Sequence, residues 1–239
     1  MRRLLFIVCL AALRAQDVPD AASLLESSKH ALDRYPSYQY QYTYTMEGTR
    51  PLVTSSLVSV SKSEKTHIDS TRSSFGGGMV VVNDGQTSWA YQAEGNVYLR
   101  QDGHPEFEAL LVLARAGGAA FPENTEFSPA IVRDEALEVD GERRECWVIE
   151  RTASGPWPSP DQPTRRWVVQ ATTWIDKKLG IDWQVIEIDK SRAGQPLRTS
   201  IRKTELKLNP DLGDSLFTFT PPAGAREVQE FRNGGGGVH

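Results

Sequence analysis

The chain has 239 residues, of which 39% are hydrophobic and 24% charged, with a formal net charge of −4. The apolar share is too high for a disordered tail, and after the opening segment no stretch is apolar enough to span a bilayer. The acidic surplus, 31 acidic against 27 basic residues, argues against nucleic acid as a partner.

Residues 1–15 (MRRLLFIVCLAALRA) combine a positive start at Arg2 and Arg3, an apolar run from Leu4 to Leu13 and a small residue, Ala15, before Gln16. This is the layout of a secretory signal peptide, and the run is shorter than the ~20 residues a spanning helix needs. Cleavage after Ala15 removes three arginines and takes the formal charge from −4 to −7. It also removes Cys9 and leaves Cys146 alone, so the exported chain depends on its core rather than on an internal disulfide.

Asp17 to Tyr35 is predicted helical, with Asp20 as cap, an apolar stripe through Leu24, Leu25, Ala31 and Leu32, and Pro36 as its end. The period then changes to two. Tyr38, Tyr40, Tyr42 and Tyr44 alternate with Gln39, Gln41 and Thr43, which places four tyrosines on one strand face. Further strands are predicted over 52–61, 65–71, 79–83, 87–92 and 96–101, with Asn83-Asp84-Gly85-Gln86 as a hairpin turn. A second helix is predicted over 105–116, carrying Leu110, Leu111 and Leu113. Strands follow over 130–139, 145–152, 166–175, 182–189, 197–208 and 216–220, with turns at Asp140-Gly141 and Lys178-Leu179-Gly180. The proline-rich stretch 155–164 reads as a stiff loop, and residues 229–239, with four consecutive glycines, as a disordered tail.

The four histidines are scattered without metal-ligand spacing, and no nucleophile elbow, zinc-protease helix motif or phosphate loop occurs. Cys146 sits in an apolar run without a neighbouring base and reads as a structural thiol. Arg198, Arg202, Lys203 and Lys207 are interspersed with Ile201 and Glu205, as on a solvated strand face. No catalytic residue, metal or cofactor is expected. An enzyme working through a carboxylate pair stays a rival, tested by turnover of an ester or glycoside panel.

About 11–12 strands and two helices make an α+β fold built on one antiparallel sheet. Its unusual feature is aromatic surplus: beside the tyrosines stand Trp89 with Tyr91, Trp167 with Val169 and Phe217 with Phe219, each pair two apart. Such faces either form a plain core or line a ligand cavity in a curled sheet, and the pattern leaves both open.

Three ordered segments resemble the periplasmic lipoprotein carrier family of LolA. They are Asp20-Ala-Ala-Ser-Leu-Leu opening the first helix, Val82-Asn-Asp-Gly-Gln-Thr-Ser-Trp-Ala-Tyr91, and Phe217-Thr-Phe-Thr-Pro-Pro-Ala-Gly224. The resemblance implies a curved antiparallel half-barrel over residues 16–228, with helices covering its mouth and a hydrophobic cavity for acyl chains. It implies a periplasmic carrier of lipoprotein acyl chains or lipid, with an inner-membrane donor and an outer-membrane acceptor. The expected lining is Tyr38, Tyr40, Tyr42, Tyr44, Trp89 and Tyr91, with Leu110, Leu111 and Leu113 on the lid. The alternative is a regulator of the RseB kind, acting through a membrane protein partner.

Overall fold

The computed structural model describes residues 19–48, 51–61, 64–70, 77–102, 125–128, 130–156, 166–191, 196–229 and 231. Helix α1 spans Ala21–Lys29, and its Asp20 cap accepts a hydrogen bond from the Ser23 amide at 2.8 Å, the reason the helix starts there. It is shorter than predicted. From His30 to Tyr35 the backbone tightens into three-residue turns, with amide-to-carbonyl bonds such as Asp33 to His30 and Tyr35 to Leu32. These turns place Ala31 and Leu32 against the tyrosines. The predicted second helix, with Leu110, Leu111 and Leu113, lies outside the described residues, and with it the proposed lid.

Among the described residues thirteen strands form one sheet. They are β1 (Ser37–Glu47), β2 (Leu52–Ser61), β3 (Lys65–Ser70), β4 (Met79–Asn83), β5 (Thr87–Gln92), β6 (Val97–Asp102), β7 (Glu126–Phe127), β8 (Ile131–Val139), β9 (Glu142–Pro156), β10 (Arg166–Asp176), β11 (Asp182–Asp189), β12 (Leu197–Leu208) and β13 (Arg226–Glu227). The order is β13-β6-β5-β4-β3-β2-β1-β12-β11-β10-β9-β7, with β8 also paired to β9. Two meanders, β1 to β6 and β8 to β12, therefore meet where β1 pairs with β12, and among the described residues β13 and β7 end the row. Among the described residues all pairings are antiparallel except that of β13 with β6.

The turns follow their residues. The Asp84 carboxylate accepts from the Gln86 and Thr87 amides at 2.8 Å, and Gly85 takes the positive φ of +99° that the β4–β5 hairpin needs. Asp140 and Gly141, both at positive φ, close β8 onto β9 in a two-residue turn. The β10–β11 turn is held by Asp176, discussed below.

One face of the sheet is buried. Residues directly opposite one another in a ladder share a face, so the run Tyr40–Val58–Ile68–Val81–Ala90 crosses five strands on one side. All five are core residues, packed with Ala31, Leu32 and Ile181. The opposite face is polar in the middle, where Gln39 donates to Ser59 and Gln41 to Ser55. Toward the C-terminal half that face carries a second core of Val139, Cys146, Val148, Trp174 and Trp183. The β8–β9 hairpin bends across to make it, with Arg202 donating to the Glu138 carbonyl and the Glu205 amide to Asp140. Cys146 is fully buried there, and burial pushes its thiol up to about 11, as suits a structural cysteine.

The predicted strand over 216–220 is a correction. A single turn of 3₁₀ helix spans Asp214–Phe217 and the chain then runs extended over the face opposite the tyrosines. Phe219 packs there on Trp89, Tyr91 and Tyr98, with ring centroids 6.0, 6.2 and 5.6 Å apart. β13 then pairs with the β6 edge, where it caps a row of free backbone groups, and Phe231 joins the core of the tyrosine face. Packing thus continues past residue 228, the expected end of the domain. Phe219→Ala should cost about 2–3 kcal/mol and loosen this strap. The check is hydrogen exchange of the Val228 amide, which bonds to the Tyr98 carbonyl at 2.8 Å and should lose protection before β1 does.

Candidate functional site

The four tyrosines of β1 lie together on the buried face, each 8% exposed or less. Tyr38 and Tyr40 stack nearly parallel, 6.2 Å between centroids, and burial raises the Tyr38 hydroxyl well above its ordinary value. Beside them the face is built of small and polar side chains. Thr54 stands opposite Tyr44 and Ser56 opposite Tyr42, while Ser56 and Ser70 share a hydrogen bond of 2.7 Å. Small side chains beside a row of tyrosines give a stepped floor rather than a level one.

Trp89 and Tyr91 are not part of that floor. Their registers run through Val82 and Val80 to His67 and Asp69, on the opposite face, whereas β5 presents Ser88, Ala90 and Gln92 to the tyrosine side. Their aromatic surface is taken up by Phe219. The expected single lining is therefore split. The tyrosines stay together, Trp89 and Tyr91 anchor the C-terminal segment, and Leu110, Leu111 and Leu113 fall outside the described residues.

Lys203, expected on a solvated strand face, has Tyr42 as its register partner. It is half-buried, pairs with Asp182 and holds its ammonium 5.7 Å from the Tyr40 ring. The neighbouring Arg202 does point to the other face, where it donates to Glu138. Alternation alone puts these two neighbours on opposite faces, and the pairing of β12 with β1 decides which face each takes. The bulge near Glu205, which has φ of +53°, shifts that pairing only beyond them, toward Lys207.

From the tyrosines an apolar track crosses the second meander on the same face. Tyr44 pairs with Ile201, Ile201 with Val185, Val185 with Thr173 and Thr173 with Ile149. The row beside it runs Met46–Thr199–Glu187–Ala171–Arg151, the next Leu197–Asp189–Val169–Ala153–Phe127. Arg151 was not singled out from the sequence, where it looks like any charged residue between strand neighbours. Trp167 lies flat over Gly155, whose position could not hold a Cβ without a 2.8 Å clash against the indole. The track therefore runs from aromatic residues to a half-buried charge and ends beside a second aromatic group.

On the opposite face, His67 is packed between Ser59 and Val82, with its Nδ1 buried and unbonded among the described residues. Burial lowers its pKa below 6.5 against the opposing pull of Asp69. A folded pKa below the unfolded one means that this contribution to stability is complete above pH 6.5 and is lost as pH falls through the folded value. Urea unfolding of the wild type should accordingly weaken between pH 7.5 and 5. His67→Gln should remove part of that loss, and an unchanged slope would exclude His67 as its source.

The family model described as "Predicted periplasmic protein (DUF2092)" matches residues 21–230, which take in helix α1 and every strand of the sheet. The chain belongs to the DUF2092 family. No curated protein matches it. Among solved structures, this DUF2092 protein is similar to an uncharacterized conserved protein from Thermus thermophilus, at 12% identity and a TM-score of 0.48, covering 87% of this chain and 98% of that one. It is similar to a LolA superfamily protein from Nitrosomonas europaea, at 14% identity and a TM-score of 0.37, covering 84% and 98%. It is also similar to a chain in the MucA/MucB complex from Pseudomonas aeruginosa, at 15% identity and a TM-score of 0.43, covering 84% and 62%. Among the described residues no helix is long and apolar enough to cross a membrane.

Proposed function

We propose that this DUF2092 protein is a periplasmic carrier or binding protein for an acylated, lipid-like ligand, held on the tyrosine face of the sheet after removal of residues 1–15. The observation that supports it most is the row Tyr44–Ile201–Val185–Thr173–Ile149, a track apolar but for Thr173 that spans both meanders on the buried face. A chain of methylenes laid along such a track gains ~0.8 kcal/mol for each one removed from water. The family description and the export signal support the compartment. Leu110, Leu111 and Leu113 are proposed to cover the ligand, and an inner-membrane donor and an outer-membrane acceptor to exchange it. The chemistry is desolvation and release, and no residue is assigned a catalytic role.

A second reading, a regulator working through a membrane protein, draws on a different surface. Val53 and Leu57, 56% and 37% exposed, stand on one side of β2 on the polar face and offer an apolar contact for a protein partner. Native mass spectrometry of protein purified gently from a periplasmic extract separates the two. The carrier reading predicts a lipid-sized adduct lost on activation. A bare chain or a protein complex contradicts it.

A further inference from the structure

Arg151 is a half-buried charge on the tyrosine face, in the row that also holds Thr199, Glu187 and Ala171. Its strand, β9, brings it opposite Ala171 of β10, and Ala171 stands opposite Glu187 of β11. Its Nε is buried without a hydrogen-bond partner among the described residues. Glu187 acts on it electrostatically across Ala171, and burial acts the other way, lowering the arginine's pKa. Its close contact is the ring of Phe127, 4.7 Å from the guanidinium carbon. Phe127 is itself 49% exposed, so the cation–π contact lies at an open edge of the sheet rather than in a sealed core. A guanidinium has five donors in a planar fork that matches a carboxylate or phosphate. Holding it half-buried with a donor unfilled costs free energy that an arriving anion would recover.

The position decides what kind of anion fits. Arg151 follows Ile149 by two residues on β9, so it stands beside the end of the apolar track that starts at Tyr44. β1 and β9 are four strand spacings apart, about 19 Å along the sheet, on the scale of an extended long acyl chain. We propose that Arg151 receives the anionic head of an acyl ligand whose chain lies along the track toward Tyr44, with Phe127 shielding the pair at the sheet edge. The ligand class is then an anionic amphiphile, a fatty carboxylate or an acyl phosphate, rather than a neutral lipid. This inference rests on the acyl-ligand reading above and adds the polarity and direction of the ligand.

The test titrates the mature protein with dodecanoate and with dodecanol, reading tryptophan fluorescence and confirming by calorimetry. The wild type should bind dodecanoate roughly ten- to a hundred-fold more tightly than dodecanol. In Arg151→Met, which keeps an unbranched stem and removes the fork, the two should bind alike, and dodecanol should bind as it does to the wild type. Arg151→Lys should retain part of the preference and guards against misreading a folding defect. Dodecyl phosphate, run in parallel, should follow dodecanoate in every variant. Equal binding of dodecanoate and dodecanol by the wild type, or a preference that survives in Arg151→Met, would overturn the role of Arg151 while leaving the acyl reading in place. Binding of neither would overturn both.

Discussion

Tyr40→Asp should leave no folded protein to assay. Tyr40 is 2% exposed, stacked on Tyr38 and packed with Val58 and Ile68, so an aspartate there loses a buried ring and buries a carboxylate at once. The combined cost is about 5 kcal/mol or more, comparable with the whole stability of many domains. The neighbouring Lys203 offers little relief, because it already pairs with Asp182. The result expected is loss of the cooperative urea transition in Tyr40→Asp and its retention in Tyr40→Phe, which keeps the ring and should cost about 1 kcal/mol. A cooperative, near-normal transition in Tyr40→Asp would show that this face is an open cavity wall rather than a packed floor. Charge substitutions in the tyrosine row therefore report on folding, and ligand contacts are better tested with Tyr→Phe or at the rim.

The second large effect belongs to Asp176. One carboxylate oxygen accepts from the Lys178 and Leu179 amides, each at 2.8 Å, and the other from the Trp183 indole N–H at 2.9 Å. These bonds fold the β10–β11 turn, let Gly180 take its φ of +72° against Ala31, and seat Trp183 in the second core. Asp176→Ala removes three charge-assisted hydrogen bonds and leaves a buried indole N–H unpaired, a loss of about 3–5 kcal/mol. Asp176→Asn should recover only part of it. Its carbonyl still serves the turn amides, but its NH₂ then faces the indole donor. Urea denaturation of the three proteins should rank them wild type, Asn, Ala. An alanine variant within about 1 kcal/mol of the wild type would contradict the account of this turn.

Much of the sheet was legible because period-two alternation and turn chemistry agree with each other. The bounds read for 52–61, 79–83, 87–92, 182–189 and 197–208 coincide with β2, β4, β5, β11 and β12. Asp84-Gly85 and Asp140-Gly141 closed the hairpins where their residues require. What alternation does not carry is the phase of one strand against another. Trp89 and Tyr91 share a face with each other, but which face depends on every register between β1 and β5, and each one-residue step exchanges the two sides. Phe217 and Phe219 alternate as a strand does, yet the edge beside β6 is filled by Arg226 and Glu227, Phe217 closes a 3₁₀ turn, and Phe219 became a cover instead. Arg151 was invisible for a related reason. Its burial is set by Ala171 and Phe127, neighbours only once β9 has paired on both sides. Within the described residues the helical cover is one short helix, because a capped start at Asp20 does not guarantee that the stripe through Ala31 and Leu32 continues as α-helix.

The central claim is that an acyl ligand occupies the tyrosine face, and photo-crosslinking tests it most directly. The mature protein is irradiated with a long-chain fatty acid carrying a terminal diazirine, and the labelled peptides are mapped by mass spectrometry. The account predicts label within 38–44 or 197–203, the end of the track away from Arg151, reduced by competing unlabelled fatty acid. Label confined to Val53, Leu57, Trp89 or Tyr91 on the opposite face, or label that no competitor reduces, would contradict it.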